Sequence, residues 1–253
     1  MICTLGILIF LVLWYNFFVM YMNDRKRCIL SIILLLVVQM ALYYIVKLFQ
    51  GPPHLIGSKL DSVFPFCKYF VFVYDSWYPF LILVWYKLYM NDKNSYKRFY
   101  IASVISMVIA NIIFILYPST IERALFKVND VASFVLNITY SLDTPVNCLP
   151  SIHCMFCFTT IYGIINSKLS YRNKLFFCLY LVLIVFSTLF IKQHVIYDVI
   201  LSFIISIVCF YVSKFKIFDK LKEYLWLFFK YSFFCSYFFS IFYYSFYIIF
   251  TIN

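Results

Sequence analysis

The sequence predicts an all-α fold, a polytopic bundle of transmembrane helices. Of its 253 residues, 65% are hydrophobic and only 12% are charged, whereas an ordinary soluble domain has about 25% charged residues. A soluble chain of this composition would have too few polar residues to cover its surface, but lipid tails accept apolar helix faces. The formal net charge of +11 is interpreted as a topology signal, because the basic residues stand in short clusters between apolar stretches. None of these clusters is long enough to bind nucleic acid.

About eight stretches are candidates for spans, since a spanning helix needs about 20 mostly apolar residues. In chain order they lie near Ile7–Met22, Cys28–Phe49, Tyr69–Met90, Phe99–Tyr117, Cys154–Ile165, Leu175–Ile191, Val199–Val212 and Leu225–Ile252. The fifth and seventh are short and are expected to extend into their flanking loops. The first has no positive residues ahead of it and no small-residue cleavage site after it, so it is interpreted as a retained span.

The distribution of basic residues predicts the orientation of these spans. Most of the 21 lysines and arginines fall in the odd-numbered loops, for example Arg25, Lys26 and Arg27 in the first. By the positive-inside rule, the odd loops are cytoplasmic and both termini are extracytoplasmic. The even-numbered loops should therefore lie on the extracytoplasmic or lumenal face.

Two of the even-numbered loops carry polar residues that are costly near a membrane and usually indicate a function. Loop four runs from Pro118 to Ser151 and leads into His153, and loop six precedes the seventh span. Their notable residues are Arg123, Asp143, Asn147, Ser151 and His153 in or after loop four, and Ser187, Lys192, Gln193, His194 and Asp198 around loop six. All of them fall on the same predicted face of the membrane.

These residue types suit phosphoryl transfer without a metal. If the stretch after His194 is helical, Asp198 lies one turn along on the same face and can accept a hydrogen bond from His194, which fixes its tautomer and raises its nucleophilicity. A second histidine, His153, could protonate a leaving oxygen, which contributes about 10²–10⁴-fold. Arg123 offers a fork of donors for phosphate oxygens, and Lys192 adds a point charge. The pattern predicts a phosphohistidine intermediate.

Simpler interpretations stay open for each residue. His194 and Asp198 could be a hydrogen-bonded pair at a helix start, Arg123 could pair with Glu122, and Lys192 could be an exposed loop lysine. A zinc site is a further alternative, although the spacing fits no familiar zinc pattern. Its ligands would be Asp143, His153, His194 and Asp198.

Three segments resemble the signature motifs of the type 2 phosphatidic acid phosphatase superfamily. They are Tyr117-Pro118-Ser119-Thr120-Ile121-Glu122-Arg123, Asn147-Cys148-Leu149-Pro150-Ser151-Ile152-His153, and Ser187 through His194 to Asp198. The resemblance covers roughly residues 99–212 and implies a six-helix phosphatase-like core with extra helices. It also implies roles for individual residues. These are His194 as nucleophile, Asp198 as its partner, His153 as general acid, and Arg123 and Ser151 as phosphate ligands.

The chain departs from the family pattern at four positions. The family's lysine falls on Leu116, its proline after arginine on Ala124, its second-motif glycine on Ile152, and its third-motif arginine on Thr188. Two usual phosphate-binding cations are thus replaced, and Lys192 is the candidate to compensate for one of them. Tyr-Pro before the arginine and Lys-Gln-His are more similar to the inositol phosphorylceramide synthase branch.

The sequence therefore predicts three parts: N-terminal transmembrane helices in 1–98, a catalytic core in 99–213, and a basic linker with a C-terminal span in 214–253. The predicted function is removal of phosphate from a lipid phosphate or polyprenyl pyrophosphate, with no cofactor or metal. The alternatives are a lipid head-group phosphotransferase and a non-catalytic membrane protein with a degenerate site. The expected partners are the lipid phosphate and membrane lipids and not nucleic acid, with a homodimer left open.

Overall fold

The computed structural model describes residues 23–215. Within them the helices are α1 Asp24–Lys47, α2 Val71–Asp75, α3 Trp77–Asn91, α4 Lys93–Leu116, α5 Val131–Leu142, α6 Ile152–Ile165, α7 Tyr171–Phe190 and α8 Ile196–Val212. Two short 3₁₀ helices, Lys59–Val63 and Lys68–Phe70, precede α2, and strand β1 (His54–Leu55) pairs in parallel with β2 (Ser119–Thr120). Residues from Ile32 to Lys214 form one compact unit.

Three of these helices are long and apolar enough to cross a membrane, namely α1 with 24 residues, α4 with 24 and α7 with 20. They coincide with the second, fourth and sixth predicted stretches. The apolar helices α5, α6 and α8 are shorter, and α6 with its 14 residues is only about 21 Å long at 1.5 Å per residue. The first and eighth predicted stretches lie outside the described residues, so the total of about eight spans stays a prediction.

The third predicted stretch, Tyr69–Met90, is not one continuous helix. It breaks at Ser76, between α2 and α3. The Ser76 hydroxyl donates to the Val73 carbonyl at 2.6 Å, and this side chain competes with the backbone for a helical acceptor. Pro79 is the third residue of α3, where a missing N–H costs no hydrogen bond within the helix. Both residues favour a helix end followed by a new start.

The segment predicted as loop four contains a helix of its own, α5, at its centre. Asp130 caps this helix: its carboxylate accepts from the Ser133 N–H at 2.8 Å, while the Ser133 hydroxyl lies 3.0 Å from the Asp130 N–H. This reciprocal arrangement is a capping box. Lys68 binds the same carboxylate at 2.8 Å, and this contact holds the pKa of Asp130 well below its usual range. Buried Leu136 faces α2.

Helix α6 packs against α3, α4, α7 and α8. The Thr159 hydroxyl meets the Ser103 hydroxyl of α4 at 3.0 Å, and the Thr160 hydroxyl accepts from the Trp85 indole of α3 at 2.8 Å. A Cβ placed on Gly163 would stand 2.9 Å from the Cβ of Phe99, so the glycine permits this close approach of α6 and α4. Polar contacts and small residues of this kind hold helices together in membranes.

The outer faces of the long helices stay apolar where they are exposed. Val37 on α1 is 58% exposed and Leu179 on α7 is 62% exposed, and Phe203 and Val208 continue the pattern on α8. Lipid tails would cover such faces without cost. Exposed apolar helices of this length are consistent with a membrane protein.

The loops between helices are joined at β2. The Asn147 N–H donates to the Ser119 carbonyl and the Leu149 N–H to the Ser119 hydroxyl, both at 2.9 Å. The His54 N–H donates to the Pro118 carbonyl at 2.8 Å. These bonds bring the segment after α4 together with the segment that leads into α6.

Candidate active site

His194 and Asp198 form a buried pair between α7 and α8. After α7 the chain turns through Lys192, whose φ is 54°, and the His194 N–H then donates to the Thr188 carbonyl at 3.2 Å. His194 is 7% exposed and Asp198 is fully buried. The His194 Nδ1 lies 2.9 Å from the Asp198 Oδ2, which also accepts from the Val195 N–H at 3.0 Å. A histidine held at Nδ1 by a carboxylate directs its Nε2 outward as the free nitrogen.

The second histidine, His153, stands beside the first. It is the second residue of α6, and its ring centroid lies 5.7 Å from that of His194. The Trp77 ring contacts it at 4.5 Å between centroids, and the Trp77 indole donates to its backbone carbonyl at 3.2 Å. The His153 Nε2 lies 3.1 Å from the Tyr74 hydroxyl. The two imidazoles are thus close enough to act on one phosphorus centre.

Asp143 connects several of these groups. Its Oδ2 accepts from the Tyr74 hydroxyl at 2.6 Å and from the Gln193 amide at 3.1 Å. Tyr74 belongs to α2, Asp143 follows α5 and Gln193 follows α7. Three separate parts of the chain therefore converge on one carboxylate beside His153.

Arg123 lies at the same site but is largely engaged with backbone carbonyls. Its two terminal nitrogens donate to the carbonyl of Tyr140, at 2.7 Å, and to that of Asp143. Its guanidinium covers the Tyr140 ring at 4.2 Å, and its Nε is buried with no hydrogen-bond partner among the described residues. Burial lowers the pKa of Arg123 while the Asp143 charge raises it, and an arginine stays protonated under such shifts.

Ser151 and Lys192 do not line the cavity that holds both histidines. Ser151 is fully buried; its hydroxyl accepts from the Cys154 N–H at 3.2 Å and caps α6, while its carbonyl accepts from the Ser202 hydroxyl of α8 at 3.0 Å. The Lys192 ammonium donates to the backbone carbonyls of Asp61, at 2.8 Å, and of Phe64. In this structure both predicted phosphate ligands make contacts that shape the site.

Two cavities meet at His194. The histidine cavity measures about 560 Å³ and is lined by His153, His194, Arg123 and a mostly aromatic and apolar wall. The loop cavity measures about 500 Å³ and is lined by His194, Lys192 and the polar residues Ser58, Asp61 and Glu122. His194 is thus accessible from two sides that differ in chemistry.

Uncharged side chains occupy the two positions of the replaced family cations. Leu116, the last residue of α4, is 75% exposed. Thr188 is fully buried, and its hydroxyl donates to the Val185 carbonyl at 2.7 Å. Among residues 23–215, no three His, Cys, Asp or Glu side chains form a group that could hold a metal ion. The zinc alternative therefore has no ligand set within that range.

Sequence reasoning missed Tyr74 and Trp77, both of which contact His153. The available signal was the pair Asp75-Ser76, which interrupts an otherwise apolar stretch. Polar residues inside a candidate span indicate either a helix break or a site, and here they indicate both. The third histidine of the chain, His54, lies in β1 and stacks on Tyr117 with 4.7 Å between ring centroids.

The chain matches the family model of the PAP2 superfamily over residues 47–212, which is more than half of its length. The chain therefore belongs to the PAP2 superfamily, and this membership indicates a phosphatase-type enzyme. No curated protein and no solved structure matches the chain.

Proposed function

We propose that this protein is an integral membrane lipid phosphatase that works through a phosphohistidine on His194. One observation carries the proposal: His194, bound to Asp198 at 2.9 Å, shares a cavity with His153, whose ring centroid is 5.7 Å away. A nucleophile with an orienting carboxylate and a neighbouring acid is the set of groups that covalent phosphoryl transfer needs. The proposed catalytic core comprises residues 99–213.

In the first step, the Nε2 lone pair of His194 attacks the phosphorus of the substrate. The P–N bond forms as the bond from phosphorus to the lipid oxygen breaks. His153 enters this step as an imidazolium and gives its Nε2 proton to that oxygen, which leaves it neutral. Asp198 stabilises the positive charge that develops on the His194 ring, because the carboxylate accepts the Nδ1–H bond. The lipid leaves as an alcohol, or as a lipid monophosphate when the substrate is a pyrophosphate.

In the second step, water attacks the phosphorus of phosphohistidine. His153, now lacking its proton, accepts one from the water as the P–O bond forms. The P–N bond breaks, inorganic phosphate leaves, and His194 returns to its neutral form. The same residue thus serves as acid in one step and base in the next, as microscopic reversibility requires.

The lining of the histidine cavity supports a lipid substrate. Met40, Tyr44, Tyr78, Val135 and Leu142 form part of its wall, and apolar and aromatic side chains of this kind bury acyl or prenyl chains. We propose that Arg123, which lines the histidine cavity, contributes its positive charge to phosphate binding. In this account Ser151 and Lys192 hold the shape of the site and act on phosphate indirectly.

A lipid head-group phosphotransferase is the second candidate, and the loop cavity favours it. The loop cavity reaches His194 and presents the Glu122 carboxylate and the Ser62 hydroxyl, which can bind the hydroxyls of an alcohol acceptor. The first step is the same, and the alcohol replaces water in the second.

The basic residues of the odd-numbered loops support a site on the extracytoplasmic face.

The test is phosphate release by the detergent-purified full chain. Phosphatidic acid, a lysophosphatidate and a polyprenyl pyrophosphate are supplied with a chelator, with and without an added alcohol. We expect release that survives the chelator and disappears in His194→Ala, while Asp130→Asn, at an exposed helix cap, keeps it. Transfer to the alcohol would identify the phosphotransferase. Absence of both reactions in well-folded protein would contradict the proposal.

A further inference from the structure

We infer that Tyr74 and Asp143 are positioning residues that keep the proton of His153 on its Nε2. The inference rests on the proposed function, which gives His153 the role of acid. The geometry behind it is a chain of hydrogen bonds that begins at the His153 ring, passes through the Tyr74 hydroxyl and ends at the Asp143 carboxylate. Neither Tyr74 nor Asp143 needs to touch the substrate for this role.

The number of protons available to these hydrogen bonds determines which group donates in each of them. A phenol has one proton, and a carboxylate only accepts. The shorter contact, 2.6 Å from the Tyr74 hydroxyl to Asp143 Oδ2, therefore uses the phenol proton, as expected for a charge-assisted bond. The Tyr74 oxygen is then left to accept, and the group 3.1 Å away is the His153 Nε2. That nitrogen consequently carries the proton.

Further contacts fix the two groups that follow His153 in this series of hydrogen bonds, the Tyr74 phenol and the Asp143 carboxylate. Tyr74 is 4% exposed, and its ring lies 4.9 Å from the His153 ring between centroids. Asp143 also accepts from the Gln193 amide at 3.1 Å, and its backbone carbonyl accepts from Arg123. Gln193 adjoins His194 in the chain. The contacts that orient the proposed acid are therefore tied to the residue that precedes the proposed nucleophile.

This arrangement orients the donor nitrogen and favours its protonated state. His153 acts as an acid in its imidazolium form, which carries a proton on both nitrogens, and the Tyr74 oxygen accepts from Nε2–H in that form as it does in the neutral Nε2–H tautomer. A histidine with no partner divides its proton between Nδ1 and Nε2 and turns about its side-chain bonds, whereas a partner on one nitrogen selects the tautomer. The leaving oxygen of the substrate would replace the Tyr74 oxygen as acceptor for Nε2–H, and Tyr74 would stay bound to Asp143. Removing the Tyr74 hydroxyl should lower kcat by about 10–100-fold, by analogy with the partners that orient metal-bound histidines, with little change in KM.

The direct test is the tautomer of His153 in the intact, detergent-solubilised protein. The chain has only three histidines, so nitrogen-15 histidine spectra can be assigned with His54→Gln and His194→Gln. We expect the Nε2–H tautomer at His153 in the wild type and a mixture of tautomers in Tyr74→Phe and Asp143→Asn.

Matched controls separate this effect from general damage. Tyr180→Phe removes a phenol that bonds the Ser76 hydroxyl at 3.0 Å, and Asp130→Asn removes a carboxylate that caps α5; both should keep the wild-type tautomer. An unchanged tautomer in both Tyr74→Phe and Asp143→Asn would overturn the inference, and so would the Nδ1–H tautomer in the wild type.

A kinetic arm distinguishes failure of this inference from failure of the proposed function. With phosphate release as readout, Tyr74→Phe and Asp143→Asn should lower kcat to a similar degree, and the double variant should be no slower than either, because they act through one chain. Loss of release in His194→Ala together with wild-type kcat in Tyr74→Phe and Asp143→Asn would overturn the positioning role alone. Full release by His194→Ala would contradict the phosphohistidine, while the tautomer result would still stand or fall by itself.

Discussion

The histidine cavity and the loop cavity both reach His194, yet their walls differ in chemistry. Each is lined by one cation and two carboxylate residues: Arg123 with Asp75 and Asp143 in the histidine cavity, and Lys192 with Asp61 and Glu122 in the loop cavity. The formal charge is therefore the same, and the difference lies in the second imidazole and the apolar wall of the histidine cavity. A lipid phosphate should favour the histidine cavity, because its apolar wall can bury the lipid chain. The loop cavity suits a small hydroxyl-bearing molecule.

Lys192 shows why position alone does not define a phosphate ligand. It adjoins the nucleophile in sequence, two residues before His194, but its ammonium binds the backbone carbonyls of Asp61 and Phe64. Those bonds join the turn before α8 to the 3₁₀ segment before α2. In this structure the lysine stabilises the wall of the loop cavity, and its ammonium group is directed away from the histidine cavity.

The largest expected difference between the two cavities comes from replacing one residue in each. His153→Gln should lower kcat for phosphate release by about 10²–10⁴-fold, the usual contribution of a general acid. Lys192→Met should lower it by less than about tenfold, since the ammonium acts on the loop. Steady-state release from the same lipid substrate gives both values. Equal losses in the two variants would remove the distinction between the cavities.

A smaller effect is expected from changing the cation of the histidine cavity. In Arg123→Lys, the single ammonium group cannot donate to the Tyr140 and Asp143 carbonyls in the geometry that the planar guanidinium allows. We expect a loss of about 1–3 kcal/mol in the free energy of unfolding and a raised KM. The exposed Arg98→Lys is the matched control and should change neither. Thermal unfolding in detergent and substrate titration provide the readouts, and an unchanged KM would argue against phosphate binding by Arg123.

Replacing Ser151 distinguishes a helix-capping role for this serine from a phosphate-binding role. Ser151→Ala removes the cap on α6 and should cost about 1 kcal/mol of stability with KM unchanged. Ser170→Ala removes the corresponding cap on α7, where the hydroxyl accepts from the Asn173 N–H at 3.4 Å, and should behave similarly. A KM that rises only in Ser151→Ala would instead make this serine a phosphate ligand, as the family resemblance implies.

The smallest expected effect concerns the loop cavity. If an alcohol acceptor binds there, Glu122→Gln should lower the ratio of transfer to hydrolysis by about 2–10-fold, the equivalent of one hydrogen bond. Hydrolysis itself should stay close to the wild-type rate, and product analysis with labelled lipid and a fixed alcohol concentration measures both reactions. An unchanged ratio would remove the loop cavity as the acceptor site.

Sequence patterns predicted the long helices and the pair that forms across one helical turn. Helices α1, α4 and α7 coincide with predicted stretches, because apolar runs of that length have few alternatives in a membrane. The spacing of His194 and Asp198 placed them one turn apart, and the structure brings Nδ1 and Oδ2 to 2.9 Å.

Contacts between distant segments lay beyond sequence patterns. Tyr74 and Asp143 are separated by 69 positions, and no local periodicity relates them. Helix α5 was not among the predicted spans, because its 12 residues are fewer than the roughly 20 that a spanning helix needs. The carbonyl partners of Arg123 and Lys192 depend on where loops fold back, which composition does not encode.

The central claim is a covalent phosphate on His194, and trapping it is the most direct test. Wild-type protein is mixed with a lipid substrate labelled on phosphorus, quenched in alkali and digested, since phosphohistidine withstands alkali and is lost in acid. The account predicts an acid-labile label on the peptide that contains His194 and none in His194→Ala. Phosphate release by His194→Ala at the wild-type rate, or a label on another residue, would contradict it.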